Sequence, residues 1–463
     1  MLGKVFAQFA RFTPAAVMMR GILEYAFPPK ELDALFRQHA RQQYEDELLF
    51  STVVDTLALA VSGVRKSVNA AYQASQDKFT VSVTALYDKL QGVETQVSQA
   101  LVRESVAKFI PLVQALRAET APLLKGYRVK IIDGNHLTGT DHRLKETRRL
   151  HSSPLPGQAL VVLDPQLRLM TDVFPCEDAY AQERSLLDQV VPTALPDELW
   201  LCDRNFCGTQ FVFGLHGRGA SFLIRQHSTT LYGKELVGRR TKSGRCKTGL
   251  VFEQMMEINN PDEADPQQQV LVVRRITIEL DRPTEKGETE VHLLTNVPAE
   301  AADAITLAEL YLQRWTIENA FQELDQALRS EVNTLCYPKA ALLAFCVSVL
   351  TYNVFGVIKA AVASAHRDPS LLRELSGYYL GEEIAATYGG MLIAIGPRHW
   401  TKAFAHLTAR DLATILKQLA KNLDVRRYKK HKRAPKKPPP KRTGGFREKH
   451  TSTARLLKHR SQQ

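Results

Sequence analysis

The chain has 463 residues, 44% of them hydrophobic and 24% charged, which is the make-up of an ordinary soluble protein with room for two or three domains and at least one large core. Its net charge of +12 is concentrated at one end: residues 426–460 hold fifteen Lys or Arg against a single acidic residue, Glu448, which leaves the rest of the chain nearly neutral and excludes a basic surface over the whole body. Six cysteines in so long a chain exclude a disulfide framework and suggest a reducing compartment; Cys202 and Cys207 flank Asp203 with no nearby Cys or His to complete a zinc set.

Residues 1–125 read as helical, with apolar residues at three- and four-residue spacings (Leu32, Leu35, Phe36, then Leu48, Leu49, Val53 and Leu57) and one break at Pro28-Pro29. No continuous apolar stretch precedes a small-residue cleavage site, so no secretory signal is expected. Residues 72–90 could hold a short helix-turn-helix with its turn and cap at 75–77, although a plain helical bundle is the better reading.

The pattern changes near Gly126. Short β-rich runs follow at 129–132, 159–163, 167–173, 199–202 and 222–225, with a helical run at 177–191 between the third and the fourth, and this order predicts a mixed α/β sheet. Residues 229–298 turn β-dominated, with strands expected at 251–257, 270–280 and 291–295, and read as an all-β insertion in the α/β domain. Helical periodicity returns at Ala301 and runs to about Asp424. Within it, residues 340–358 carry no charge and are long enough to span a bilayer; Ser348, Thr351, Tyr352 and Asn353 and the lack of a second such span favour a buried core helix. The last forty residues, rich in Lys, Arg and Pro, are expected to be disordered and to bind polyanions without sequence preference.

Three acidic residues stand out. Asp133 and Asp203 each follow a hydrophobic run, so each carboxylate is expected at the C-terminal end of a strand, the edge where α/β sheets bind ligands. If the two strands are neighbours, the carboxylates can share a Mg²⁺ ion; for either Asp taken alone, the start of a turn is the better reading. Glu318 lies in a helical stretch in which Tyr311, Arg314, Glu318 and Asp325 fall within a stripe of about 60° at 100° per residue. Arg314 suits a phosphate bidentately and Tyr311 can donate to one, while the Arg314–Glu318 spacing also fits a simple surface ion pair. Trp315 and Phe321 are expected to pack in the core rather than stack on bases.

Together these segments resemble the DDE insertion-sequence transposases of the IS-four type. The resemblance rests on Asp133-Gly-Asn135, on Asp203-Arg-Asn-Phe206, on the order Tyr311, Arg314, Glu318, and on a long β-rich stretch between the second Asp and the Glu, and it covers roughly residues 126–358. It implies a ribonuclease-H-like α/β catalytic domain built from residues 126–228 and 301–365 and interrupted by the β-rich insertion 229–300. Helical regions at 1–125 (end-DNA binding) and 366–424 and a basic tail at 425–463 would flank it. It implies that Asp133, Asp203 and Glu318 hold two Mg²⁺ or Mn²⁺ ions and that Tyr311 and Arg314 position the DNA backbone. It further implies a homodimer that pairs two terminal inverted repeats and captures target DNA, hairpin ends, a cut-and-paste route, and a bacterial cytoplasmic, nucleoid-associated protein with no membrane partner.

Arg204, which follows the second Asp, and Arg225, in a strand like the one whose Arg approaches the DNA end in that family, are carried over as DNA ligands, with a surface ion pair equally open for both. One position departs: the family's final Lys falls on Asp325, so Arg329 or Lys339 would have to supply that phosphate contact. Asp325 keeps open an alternative, a transposase-derived DNA-binding protein with impaired catalysis. A metal-dependent nuclease that cuts without joining is the second alternative, and a two-carboxylate glycosidase explains neither Arg314 nor the tail.

Overall fold

In the computed structural model the described residues are 3–43, 47–149, 151–227, 229–231, 234–260 and 269–431. The tail beyond residue 431, where most of the expected disorder falls, lies outside them.

Pro28-Pro29 acts as read: one helix, Pro14–Ala26, stops before it and another, Pro29–His39, starts with Pro29 in its first turn, where the missing N–H has no helical partner to lose. The turn at 75–77 becomes a 3-10 turn, Gln76–Lys78, and the following helix, Val83–Gly92, is capped by Ser82, whose hydroxyl accepts from the Ala85 N–H. The longest N-terminal helix, Thr95–Leu116, packs along the helix Pro338–His366 and against Ala409–Ala420. The first and last helical stretches of the chain therefore share one apolar core.

Pro338–His366 is long and apolar enough to cross a membrane, but most of it is buried inside the protein. Its polar residues explain why. The Asn353 amide accepts from the Met170 N–H and donates to the Met170 carbonyl, both at 2.8 Å, pairing a strand edge as another strand would. Ser348 and Thr351 turn their hydroxyls back onto the helix's own carbonyls, of Phe345 and Val347.

The sheet is mixed and has nine strands: β1 (Arg128–His136), β2 (Gln158–Asp164), β3 (Leu169–Cys176), β4 (Glu198–Cys202), β5 (Ser221–Arg225), β6 (Glu235–Cys246), β7 (Gly249–Asn259), β8 (Val270–Leu280) and β9 (Glu290–Thr295). Their order is β3-β2-β1-β4-β5-β9-β8-β7-β6. β1, β4 and β5 run parallel, and every other neighbouring pair is antiparallel. Among the described residues the β-rich stretch after 229 forms no separate sheet; β9 pairs with β5 and carries the other three strands on as an extension of the first five.

Two expectations change. The helical run at 177–191 is only a succession of short turns, Glu183–Leu186, Leu187–Val190 and Val191–Thr193, because Leu186, Leu187 and Val190 are drawn into the core beside Trp200 while Pro192 interrupts the backbone ladder. β6 occupies residues for which no strand is expected from the sequence. It is an edge strand, exposed along nearly all of its length and broken by two register shifts, so no buried face imposes an apolar alternation on it.

Apolar residues fill both faces of the sheet. Val129, Ile131, Leu199 and Leu201 face the helical body, and Ile132, Trp200 and Cys202 face the turns at 183–193 and the helix Thr209–Gly217. This alternation decides which side of the sheet each residue at the strand ends can serve.

Candidate active site

β1 and β4 pair in parallel up to Ile132 opposite Cys202. Asp133 is the next residue of β1, which runs on to His136 against β2, and Asp203 directly follows β4, so the two aspartates stand side by side where the parallel pairing stops. Each also accepts a hydrogen bond from the backbone N–H that follows it, Gly134 for Asp133 (3.0 Å) and Arg204 for Asp203. Asp203 thereby caps the 3-10 turn Arg204–Phe206, whereas Asp133 stays within β1.

Glu318 comes from the opposite direction. The stretch expected as one helix is two, Ala304–Tyr311 and Trp315–Ala327, joined by a 3-10 turn, Leu312–Arg314. Asp303 starts the first, its carboxylate accepting from the Thr306 N–H at 2.7 Å. The helix Gly377–Ala394 clamps the second: a side chain at Gly381 would meet the Ala327 carbonyl at 2.7 Å, so only glycine allows so close an approach. An ion pair between Lys359 and Glu323 ties Pro338–His366 to the same helix.

Arg314 connects the two sides. One guanidinium nitrogen lies 3.1 Å from Asp133 Oδ2 and the other 2.8 Å from Glu318 Oε1. Burial alone would pull this guanidinium down, but Tyr311, Asp133 and Glu318 around it push it above its ordinary value. Burial pushes Asp133 up to about 6; Arg314 and the Gly134 N–H oppose the rise, and Asp203 and Glu183 add to it.

Tyr311 is buried beneath the site, its hydroxyl donating to the Cys202 carbonyl at 3.3 Å. It therefore braces the strand that ends at Asp203, and burial raises its phenol. Trp315, expected in the core, is instead 58% exposed, with the Arg314 guanidinium 5.2 Å from its ring. The 3-10 turn before it rotates the indole out of the apolar face.

The remaining candidates lie in three places. Arg204 and Arg225 converge on one carboxylate, Glu288, at 3.2 and 2.6 Å, in a cavity of about 570 Å³ also lined by Lys234, Arg275 and His292. Arg329 and Asp325 line a second cavity of about 550 Å³; the Arg329 N–H bonds the Val61 carbonyl at 2.8 Å and the Asp325 carboxylate accepts from Ser330 at 2.8 Å. Lys339 is half-buried in the first turn of Pro338–His366.

Two acidic residues that sequence reasoning passed over belong to this region, Glu288 and Glu183. Nothing local marks Glu288, in the turn between β8 and β9. Gly134 is the only trace Glu183 leaves in the sequence, because its carboxylate fills the place of a side chain there.

The donors gathered here are all carboxylate oxygens, the chemistry that suits a hard divalent cation. Among the described residues no three His, Cys, Asp or Glu side chains converge as a ready-made cage, since Arg314 spans Asp133 and Glu318. A Mg²⁺-type ion does not require one: it binds through one or two carboxylates, keeping waters and taking phosphate oxygens from its substrate. Burial disfavours the charged form of Asp133, and a bound cation would restore it.

Residues 124–354 match the family model described as the transposase DDE domain. The transposase InsL sequences of insertion sequence elements IS186A and IS186B of Escherichia coli (strain K12) are each 24% identical to this chain over 357 residues, which cover 69% of this chain and 88% of each relative. A solved structure, the piggyBac transposase synaptic complex with hairpin DNA, aligns at 13% identity and a TM-score of 0.38 over 87% of each chain. With the family match spanning the two strand-end aspartates and the Glu318 helix, the chain belongs to the DDE transposases of the IS-four type.

Proposed function

We propose that this transposase excises and reinserts its insertion sequence by a cut-and-paste route, cleaving DNA at the terminal inverted repeats and joining the freed ends to target DNA. The observation that carries the reading is the arrangement of Asp133 and Asp203 side by side where the parallel pairing of β1 with β4 stops, with Arg314 linking Asp133 to Glu318. Enzymes of this type use divalent metal ions; a pair of Mg²⁺ or Mn²⁺ ions, when bound, supplies activation of the attacking oxygen and stabilisation of the leaving oxygen.

The chain's own residues do the rest. Asp133, Asp203 and Glu318 hold the ions. Arg314, already positioned by two carboxylates, turns a fixed fork of N–H donors towards the phosphate flanking the cleaved bond. Tyr311 keeps Asp203 in place through the Cys202 carbonyl. Arg204 and Arg225 take the phosphates of the adjoining strand in place of Glu288, with Arg329 or Lys339 on the far side of the Glu318 helix.

The domain reading follows from this. The order β3-β2-β1-β4-β5 with three parallel strands supports a ribonuclease-H-like catalytic core in residues 126–228 and 301–365, with 229–300 as its β-rich insertion. The helical region 1–125 recognises the inverted repeats, the basic tail 425–463 adds sequence-independent attraction to DNA, and a homodimer in the bacterial cytoplasm pairs the two ends.

The test is cleavage of DNA carrying the ends of the insertion sequence. Glu318→Gln should abolish Mg²⁺-dependent cleavage and leave end binding largely intact; cleavage at the wild-type rate removes Glu318 from the metal site. Strand transfer of a precut end should occur with the wild-type protein, and its failure would reduce the activity to that of a nuclease.

A further inference from the structure

Glu183 opens the turn after β3 on the face of the sheet opposite the Glu318 helix: the neighbouring Leu186 and Leu187 pack with Ile132 and Trp200, whereas Ile317 and Leu324 pack with Ile131 and Leu201. Its carboxylate lies against Gly134, the residue after Asp133, where even a methyl group would collide with it. Asn205, two residues after Asp203, hydrogen-bonds it, and His136 and Asp203 are the charged or titratable groups within its electrostatic reach. Asp133 feels it in turn.

Arg314 serves Asp133 and Glu318, but among the described residues no Lys or Arg forms an ion pair with Glu183. A half-buried carboxylate beside two aspartates is costly without a cation. Glycine at 134 gives up strand propensity to make room for it.

We infer that Glu183 is a fourth oxygen ligand of the divalent cation held by Asp133 and Asp203, reaching it past the end of β4 from the face opposite Glu318, directly or through a bound water. The inference rests on the reading of Asp133 and Asp203 as metal ligands. It makes the site two-sided: the strand ends supply the centre, Glu318 one flank and Glu183 the other.

Titration of the full-length protein with Mn²⁺, following free Mn²⁺ by electron paramagnetic resonance without DNA, tests it. Glu183→Gln should weaken Mn²⁺ binding about 10- to 100-fold, as loss of a supporting group at a metal site does, and should slow cleavage of end DNA accordingly. Gly134→Ala, which displaces the carboxylate without removing it, should reproduce the defect. The metal-free Glu183→Gln protein should melt no lower than wild type, because the amide removes like-charge repulsion, while the rise in melting temperature that Mn²⁺ gives the wild type should shrink. Asp203→Asn separates this inference from the reading beneath it. If Asp203→Asn loses Mn²⁺ binding and Glu183→Gln keeps wild-type affinity, Glu183 is not a ligand; if both keep it, the metal site itself is misplaced. A metal-free Glu183→Gln protein that melts lower than wild type with unchanged Mn²⁺ affinity assigns Glu183 a structural role and overturns the inference.

Discussion

Arg314 reaches Asp133 across 181 residues of sequence and joins it, through the second arm of its guanidinium, to Glu318. The link ties the start of the Glu318 helix to β1 by a pair of charged hydrogen bonds. It holds together two halves of the candidate site that the β-rich strands separate in sequence, and it screens two acidic groups from each other.

Removing the guanidinium should therefore cost stability as well as activity. Arg314→Met should lower unfolding free energy by about 2–3 kcal/mol, less than for a fully buried pair because the Glu318 side chain is 33% exposed. Chemical denaturation of the metal-free protein measures this, and Arg314→Lys, which keeps the charge but not the fork, should recover part of the stability and little of the cleavage rate.

Tyr311→Phe separates a bracing role from a phosphate contact. The change leaves the buried Cys202 carbonyl without its donor, so a loss of about 1 kcal/mol is expected, with slower cleavage as Asp203 loosens. End-DNA affinity and its dependence on salt should not move. A shallower salt slope would place the hydroxyl on a DNA phosphate instead.

Glu288 occupies the two arginines expected to meet DNA. Glu288→Gln should tighten end binding by up to about fivefold, the worth of a partly exposed ion pair near 1 kcal/mol. Arg225→Ala should weaken binding and reduce the slope of log affinity against log salt by about 1. Filter binding or fluorescence anisotropy at several salt concentrations reads both.

His292 lies in the same cavity, where burial pulls it down to about 4, with Arg275, Arg240 and Arg225 adding to the fall and Glu290 opposing it. Unfolding restores its ordinary value of 6.5. The unfolded chain then binds more protons than the folded one between those values, so the neutral imidazole contributes stability that is present above pH 6.5 and is lost as the pH falls towards 4. His292→Gln should flatten the melting temperature across that window, and an unchanged pH profile would show that the imidazole is free to take up a proton in the fold.

Much of the architecture was legible because it is local. A hydrophobic run ending in Asp marks each of β1 and β4, Pro28-Pro29 separates two helices, and the long uncharged stretch within Pro338–His366 reads as a core helix from its polar residues. The edge strand β6 was not legible, because a strand exposed on nearly every residue has no burial to impose alternation. Trp315 misled for a related reason: a stripe drawn on one ideal helix cannot foresee the 3-10 turn at Leu312–Arg314 that turns the indole outward.

The sequence by itself determined which residues are the candidates for the chemistry: Asp133 and Asp203 behind two hydrophobic runs, and Glu318 with Tyr311 and Arg314 before it. The tertiary structure alone decided how they meet. The parallel pairing of β1 with β4 puts Asp133 beside Asp203, burial turns Tyr311 into a brace, Glu288 closes on Arg204 and Arg225, and Glu183 fills the space left by Gly134. Each of these depends on contacts between segments tens of residues or more apart, whose energies come from shape and burial in the assembled core and leave no period or spacing in the local sequence.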